Sequence, residues 1–508
     1  MDFLTELNPA QAEAVCQPGG PLLVLAGAGS GKTRMLTCRI AHLLQVEKVE
    51  AHRILAITFT NRAAREMKER VARLVPREVR DLWVMTFHAA CLRILRREID
   101  KLNYDRNFVI YDEGDQQTVI KECLKELNLD PKKYPPALFS GEISWQKNAL
   151  VGPAEYAAAA YDRHQELAAR VYSAYQERLE RNNALDFDDL LMVAVRLFRE
   201  SPQTLEYYRR RFLHVLVDEY QDTNHAQYVL VNLLAEEHRN LTVVGDPDQS
   251  IYGWRGADIQ NILNFERDYP DARIVKLEEN YRSTGTILEA ANHVIRHNRY
   301  RKEKRLFSAR GQGRRPVLYQ AGDEMEEARF VAGRIRRLRA EGRSHQDLAV
   351  FYRTHAQSRV LEDVLLRNGI PYTIIGGMRF YERREIKELM AYLKLVVNPL
   401  DDVALTRIIN VPRRGVGKAS LQKFFAYVLD NPVTPAEALR EADRIPGLSA
   451  KVRQEMQRLG ELLAAWRGRE AGVTELTAQV LEESGYLAAL EAERTVESRT
   501  RVENLNEF

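Results

Sequence analysis

Apolar and polar positions along this chain fall into two alternating rhythms. Five short apolar runs, PLLVLAG (Pro21–Gly27), RILAITFT (Arg53–Thr60), HVLVDE (His214–Glu219), NLTVVGD (Asn240–Asp246) and RIVKLEENYR (Arg273–Arg282), have the length and content of buried strands. Helical spacing fills other stretches, as in RMLTCRIAHLL (Arg34–Leu44) and NRAAREMKERVARLV (Asn61–Val75). Strands alternating with helices predict a parallel α/β sheet. The gap between the second and third runs is far longer than a usual crossover, and residues from about 100 to 190 read as helices without convincing strands (QQTVIKECLKELN, EYAAAAYDRHQELAARVYSAYQERLERN). A helical insert is expected there. The alternation restarts with PVLYQA (Pro316–Ala321), DLAVFYR (Asp347–Arg353) and PYTIIGG (Pro371–Gly377) as strands. The helices EMEEARFVAGRIRRLRAEG and QSRVLEDVLLRNG lie between them. This predicts a second, smaller α/β domain without a phosphate loop. After Gly377 the pattern is helical to the end.

Composition narrows the class without naming it. A chain of 508 residues exceeds one core and predicts several domains. With 45% hydrophobic and 29% charged residues it is an ordinary globular protein, and no run approaches the ~18 apolar residues of a membrane span. No signal-peptide pattern opens it, so cytoplasm is the default compartment. Cys16, Cys38, Cys91 and Cys123 lack metal-site or disulfide spacing and read as buried thiols. A net charge of +3 does not itself predict nucleic-acid binding. Basic clusters are commonly solvated helix faces. The run from Arg296 to Arg305 is the least bland of them.

AGAGSGKT (Ala26–Thr33) follows a strand and opens a helix, the context of a P-loop. Backbone amides of Ala28, Gly29, Ser30 and Gly31 would cradle phosphates. Lys32 would reach the β and γ oxygens and Thr33 would hold Mg²⁺. Ala26 stands where the strict pattern has Gly. In VLVDEYQD, Asp218 suits the Mg²⁺ shell and Glu219 suits the orientation and deprotonation of water. VVGDPDQSIYGWRGA (Val243–Ala257) puts carboxylates, Gln249, Tyr252 and Trp254 in one loop at a strand end. Aromatic rings are more often core than surface, so a core role for the two rings is the bland alternative.

These motifs, with LNPAQAEAV, LAITFTNRAAREMKERV, TFHAACLRIL, ALDFDDLL, LEENYRS and GGMRFYERREIKELMAYLKLVVNP, occur in an order that resembles the UvrD/PcrA/Rep group of bacterial superfamily 1 DNA helicases, over nearly the whole chain. The resemblance implies two RecA-like domains, each with a mainly helical insert. Domain 1A would comprise 1–99 and 190–282, 1B 100–189, 2A 283–377 and 2B 378–508. It implies that Gln11 reads the adenine edge, Arg34 and Tyr281 flank the base, Gln249 contacts the γ-phosphate and Arg282 acts as an arginine finger. Phe59, Phe187, Tyr252 and Trp254 match base-stacking positions. Asn61, Thr86, His88, Arg255, Arg353 and His355 match strand contacts, with His355 where the family usually has Asn. Arg413, Gly415, Gly417 and Lys418 of VPRRGVGK match a duplex-gripping turn.

The resemblance further implies an ATP- and Mg²⁺-dependent helicase of 3′ to 5′ polarity that acts on single-stranded DNA and single-strand/duplex junctions. Such an enzyme meets repair or replication proteins, is nucleoid-associated, and works as a monomer or DNA-induced dimer. One rival is an ATP- and DNA-binding fragment without unwinding, because two further family motifs do not occur before Phe508. The other is the helicase subunit of a helicase-nuclease, although no carboxylate-rich nuclease signature is visible.

Overall fold

A computed structural model of the chain describes residues 3–76, 79–298, 301–375 and 380–508. Position 377, the expected end of domain 2A, lies outside the described residues. Eight strands occur, in chain order β1 (Leu22–Ala26), β2 (Ile54–Thr58), β3 (Trp83–Thr86), β4 (Val109–Ile110), β5 (Ala184–Leu185), β6 (His214–Val217), β7 (Leu241–Gly245) and β8 (Arg273–Leu277). Six of them make one sheet in the order β3-β2-β6-β7-β1-β8, and every pairing in it is parallel. The sheet confirms the α/β reading.

Helices cover both faces, so the central strands are buried at every position. Leu23, Leu25, Leu55, Ile57, Val215, Val217 and Val243 enter one core, while Leu22, Val24, Ala26, Ile54, Ala56, Leu216 and Val244 enter the other. Because all six strands run the same way, the residues that follow each of them emerge at one edge. The P-loop, Phe59, Phe87, Asp218-Glu219, Asp246 and Glu278–Tyr281 therefore share the carboxyl edge, where open α/β sheets hold ligands.

Several expectations are corrected. β3 was absent from the predicted strands; its four residues run directly into the helix Phe87–Glu98 and give no strand-length apolar run. The first insert, expected to lack strands, holds the short parallel ladder β4·β5. The long helix expected over 155–182 is broken into Pro153–Ala159 and Arg163–Arg181, because Asp162 leaves helical geometry and caps the second piece by accepting from the Gln165 amide. Cys16 is exposed, while the other three thiols are buried and free.

The described residues form two compact units, one of 1–314 with 391–484 and one of 315–390 with 485–508. In the first, residues 391–407 dock on the helical insert through polar contacts. Buried Asp115 accepts from Lys394 at 2.9 Å and Arg407 at 2.7 Å, Tyr111 donates to Asp401 at 2.8 Å, and Asp402 takes Arg178 at 2.8 Å. In the second, the helices Glu324–Ala340 and Ser358–Arg367 pack through Ala328, Ala332, Val364 and Leu365, both as expected from periodicity. The strands expected at 316–321, 347–353 and 371–375 are not formed; Asp347 ends a 3-10 turn, and Leu318 and Phe351 are exposed. Among the described residues neither sheet has a strand in this unit, so these runs have no partner to pair with. Among the described residues no helix is long and apolar enough to cross a membrane.

Candidate nucleotide and nucleic-acid site

The P-loop departs from ordinary backbone where its glycines stand. Gly29 and Gly31 have φ of 69° and 86°, and a Cβ at Gly27 would stand 2.3 Å from Leu306. The turn feeds the helix Lys32–Gln45, whose first amides point into the loop. Lys32 Nζ lies 3.3 Å from Glu219 Oε2. Glu219 itself sits in the left-handed region, at φ 51° and ψ 42°, a cost of roughly 1–3 kcal/mol that clusters at functional sites. Its carboxylate is thereby aimed at the P-loop while Asp218 remains buried.

Burial, reinforced by the neighbouring Glu219 charge, pushes the Asp218 carboxyl up to about 7. A carboxylate so placed calls for a cation, and Thr33 and Asp218 are the residues that would hold Mg²⁺. Among the described residues no cluster of three or more His, Cys, Asp or Glu could bind a metal, so the remaining ligands would be nucleotide oxygens and water. The residues present fit such an ion.

The nucleotide-side residues come together at this edge. Gln11 is buried, and its Nε2 donates to the Ser30 carbonyl at 2.9 Å while Oε1 accepts from the Asn8 amide. Tyr281 is half exposed; its hydroxyl donates to Glu279 at 2.7 Å and its amide to the Gly29 carbonyl at 2.9 Å. Arg34 pairs with Glu6. Arg282 is exposed, its Cβ packed against Gly29. Gln249 Nε2 donates to Asp246 Oδ2 at 2.6 Å.

The aromatic loop faces outward. Trp254 is 67% exposed and Tyr252 40%, which removes the core reading of both rings. Arg255 lies over Trp254, 4.6 Å from its centroid. Along the same sheet edge Phe59 meets Phe87 edge-on at 5.7 Å, and His88 meets the half-exposed Phe187 at 6.2 Å. Burial holds the His88 imidazole below its usual range, so it is neutral. Thr86 caps the following helix through the Ala89 amide, and Asn61 is exposed at the start of its own. Asn148 joins the two aromatic groups. Its Nδ2 donates to Asp188, beside Phe187, at 3.1 Å, its Oδ1 accepts from Asn224, and its side chain lies against Gly256.

The remaining assigned residues lie on other elements of the chain. Arg413 and Lys418 are exposed on either side of Gly415, whose φ is 74°, and Gly417 caps the helix Lys418–Asp430. Arg414 between them is buried, donating to the Ile408 and Val411 carbonyls and to Tyr392, and so holds the turn from inside. Arg353 and His355 are exposed in the second unit.

Sequence reasoning missed the side chains that connect these groups. Gln221 is 1% exposed; its Nε2 donates to Glu219 at 3.0 Å and its Oε1 accepts from the Asp246 amide at 2.9 Å. Asn280 donates to the P-loop carbonyl of Ala28 and accepts from the amides of Arg282 and Ser283. Both lie within the quoted motifs, yet nothing in their spacing announces a partner hundreds or tens of residues away.

Comparison with known proteins places this arrangement. Residues 7–270 match the UvrD/REP helicase N-terminal domain and residues 275–434 the UvrD-like helicase C-terminal domain. The chain is 52% identical, over its full length and 70% of the relative's, to an ATP-dependent DNA helicase PcrA of Staphylococcus aureus. It is 51% identical over the same shares to the protein of that name from Staphylococcus epidermidis.

Proposed function

This chain belongs to the UvrD/REP helicase family, and from that premise we infer that it is an ATP-dependent DNA helicase that moves 3′ to 5′ along single strands and unwinds duplex. The observation that carries the reading is the loop Val243–Ala257. Gln249 stands on it five positions before the exposed Trp254, and the loop is tied at the Asp246 amide through Gln221 to Glu219. A change at the γ-phosphate therefore moves a base-stacking ring. Stacking is indifferent to base identity, which suits a motor that passes any sequence.

The roles follow from position. The P-loop amides and Lys32 bind the phosphates, Gln11, Arg34 and Tyr281 hold the base, and Glu219 takes the proton of the attacking water. Gln249 and Arg282 meet charge developing on the γ-phosphate. Mg²⁺ held by Thr33 and Asp218 would neutralise phosphate charge. Phe59, Phe187, Tyr252 and Trp254 stack bases, while Asn61, Thr86, His88, Arg255, Arg353 and His355 contact the strand. Arg413, Gly415, Gly417 and Lys418 grip duplex ahead of it. The division into 1A (1–99, 190–282), 1B (100–189), 2A (283–377) and 2B (378–508) describes this labour. A cytoplasmic, nucleoid-associated place, encounters with repair or replication proteins, and action as a monomer or DNA-induced dimer accompany the reading.

Strand displacement on duplexes carrying a 3′ or a 5′ single-stranded tail tests it. ATP-dependent unwinding of the 3′-tailed substrate is expected. Unwinding confined to the 5′-tailed duplex, or equal with a non-hydrolysable analogue, would overturn it.

A further inference from the structure

The basic run Arg296–Arg305 finds no place in the function so far, and although Arg296 and Arg305 are exposed, Arg301, Lys302 and Lys304 are not the solvated face that such runs usually form. The Lys304 side chain is 3% exposed, and its ammonium donates to Asp246 Oδ1 and, at 2.6 Å, to Asp248 Oδ2. Arg301 donates to Asp248 at 3.2 Å and Lys302 to Glu266. Arg301, Lys302 and Lys304 are thus folded onto the unit that holds the P-loop.

The carboxylate under Lys304 is the one that holds Gln249. Asp246 Oδ1 takes Lys304 and the Asp248 amide, Oδ2 takes Gln249 Nε2 at 2.6 Å, and the Asp246 amide reaches Glu219 through Gln221. On its other side Lys304 belongs to a segment zipped to the residues just before Arg282. The Arg305 amide donates to Glu278 Oε1 at 2.8 Å, the Phe307 amide to the Glu278 carbonyl at 3.1 Å, and the Asn280 amide to the Phe307 carbonyl at 2.7 Å. Leu306 closes over Gly27 of the P-loop. A shift of Tyr281 and Arg282 therefore carries Lys304, and through Asp246 it reaches Gln249 and the loop that bears Trp254.

We propose that Lys304 is a positioning residue of the ATPase site. Through the Asp246 carboxylate it sets where Gln249 stands, and so registers the DNA-stacking loop to the segment bearing Arg282. This rests on the reading of Gln249 as the γ-phosphate contact. With Lys304 in place, Asp246 keeps a charge partner when Gln249 turns away toward nucleotide. Without it, Asp246 and Asp248 face each other with one cation fewer, and Gln249 loses its fixed starting point.

The experiment compares Lys304→Met, Lys304→Arg and Lys304→Gln with the parent in steady-state ATPase assays, with and without oligo-dT, and in thermal unfolding. Lys304→Met is expected to lower DNA-stimulated kcat at least tenfold with the KM for ATP changed less than threefold, and Lys304→Arg to restore kcat to within threefold. Lys304→Gln, which keeps one donor and is the milder test should Lys304→Met not fold, is expected to show the same split in smaller degree. Parent-like stimulation in Lys304→Met or Lys304→Gln overturns the proposal. So does a fall in kcat that tracks the loss of thermal midpoint and is not rescued by Arg. Gln249→Ala separates the two readings. If it hydrolyses ATP normally the γ-phosphate reading fails, whereas an impaired Gln249→Ala beside a parent-like Lys304→Met sinks the positioning role alone.

Discussion

Lys32 Nζ stands 3.3 Å from Glu219 Oε2, so the P-loop cation and the carboxylate beside the strand end neutralise each other across the floor of the site. A γ-phosphate entering this gap competes with Glu219 for Lys32 and leaves the carboxylate free to accept a proton. The pair is partly exposed, and its contribution to stability is small, of order 1 kcal/mol or less. Its value lies in keeping both groups aimed into the site.

Lys32→Ala is accordingly expected to abolish ATP hydrolysis while single-strand binding, measured by fluorescence anisotropy of a labelled oligonucleotide, changes less than threefold. Turnover above a tenth of the parent rate would remove Lys32 from the phosphate site.

Trp254→Ala removes an exposed ring, and the loss expected is that of one base stack, ~1–3 kcal/mol of strand affinity. Because the ring is 67% exposed, the thermal midpoint should stay close to that of the parent. A large fall in the midpoint with unchanged affinity would return Trp254 to a packing role.

Much of this was legible in the chain, and what was not has a common physical origin. The strands β1, β2, β6 and β7 are buried on both faces and so read as largely apolar runs, whereas the edge strand β8 mixes buried and exposed positions; the chemistry follows all of them at the sheet edge. β3 escaped notice because WVMT is short and passes into a helix at Phe87. The runs 316–321 and 347–353 have strand composition, yet pairing depends on neighbours that composition does not specify, and they do not pair. The P-loop, Asp218-Glu219 and the Gln249 loop follow β1, β6 and β7, where the pattern put them. The wiring among them did not show, because Gln221 to Asp246, Asn280 to Ala28 and Lys304 to Asp246 are single hydrogen bonds between distant segments, without period or spacing.

Asp218 gives the site a pH signature. Its carboxyl is raised to about 7 in the fold against ~3.9 in an unfolded chain, so between these values the folded state binds the extra proton and stability falls as pH rises. The penalty is absent below about pH 4 and complete above about 7. Asp218→Asn should therefore raise the thermal midpoint of the nucleotide-free protein at pH 8 and leave it nearly unchanged at pH 4. Equal midpoints at pH 8 would mean that the buried carboxylate is compensated. Mg²⁺ affinity should likewise rise with pH through about 7, since the metal requires the ionised form.

Lys147 lies fully buried between Asp186 at 2.7 Å and Asp189 at 2.8 Å, at the start of the helix that presents Phe187. Lys147→Met fills the same space and leaves two buried carboxylates without their cation. A loss of about 3–5 kcal/mol in urea unfolding is expected. A loss under 1 kcal/mol would show that the two acids share a proton and do not need the lysine.

Gln11 poses the sharpest question about nucleotide choice, because both ends of its amide are engaged within the protein, Nε2 with the Ser30 carbonyl and Oε1 with the Asn8 amide. To read adenine it must leave at least one of them. The amide offers one donor group and one acceptor, which adenine's N6/N7 edge can match and guanine's O6/N7 edge, with two acceptors, cannot. Tyr281 and Arg34, by contrast, hold a purine through its faces and do not distinguish the two bases. If Gln11 turns to the base, Gln11→Ala should raise the KM for ATP toward that for GTP and abolish the preference between them, with GTP turnover little changed. If it acts only by bracing Ser30, the P-loop loosens for every nucleotide, and ATP and GTP turnover should fall by the same factor. Parallel ATP and GTP titrations of the one variant decide between these outcomes. We expect the first, since a uniform loss would leave the site without any group that tells adenine from guanine.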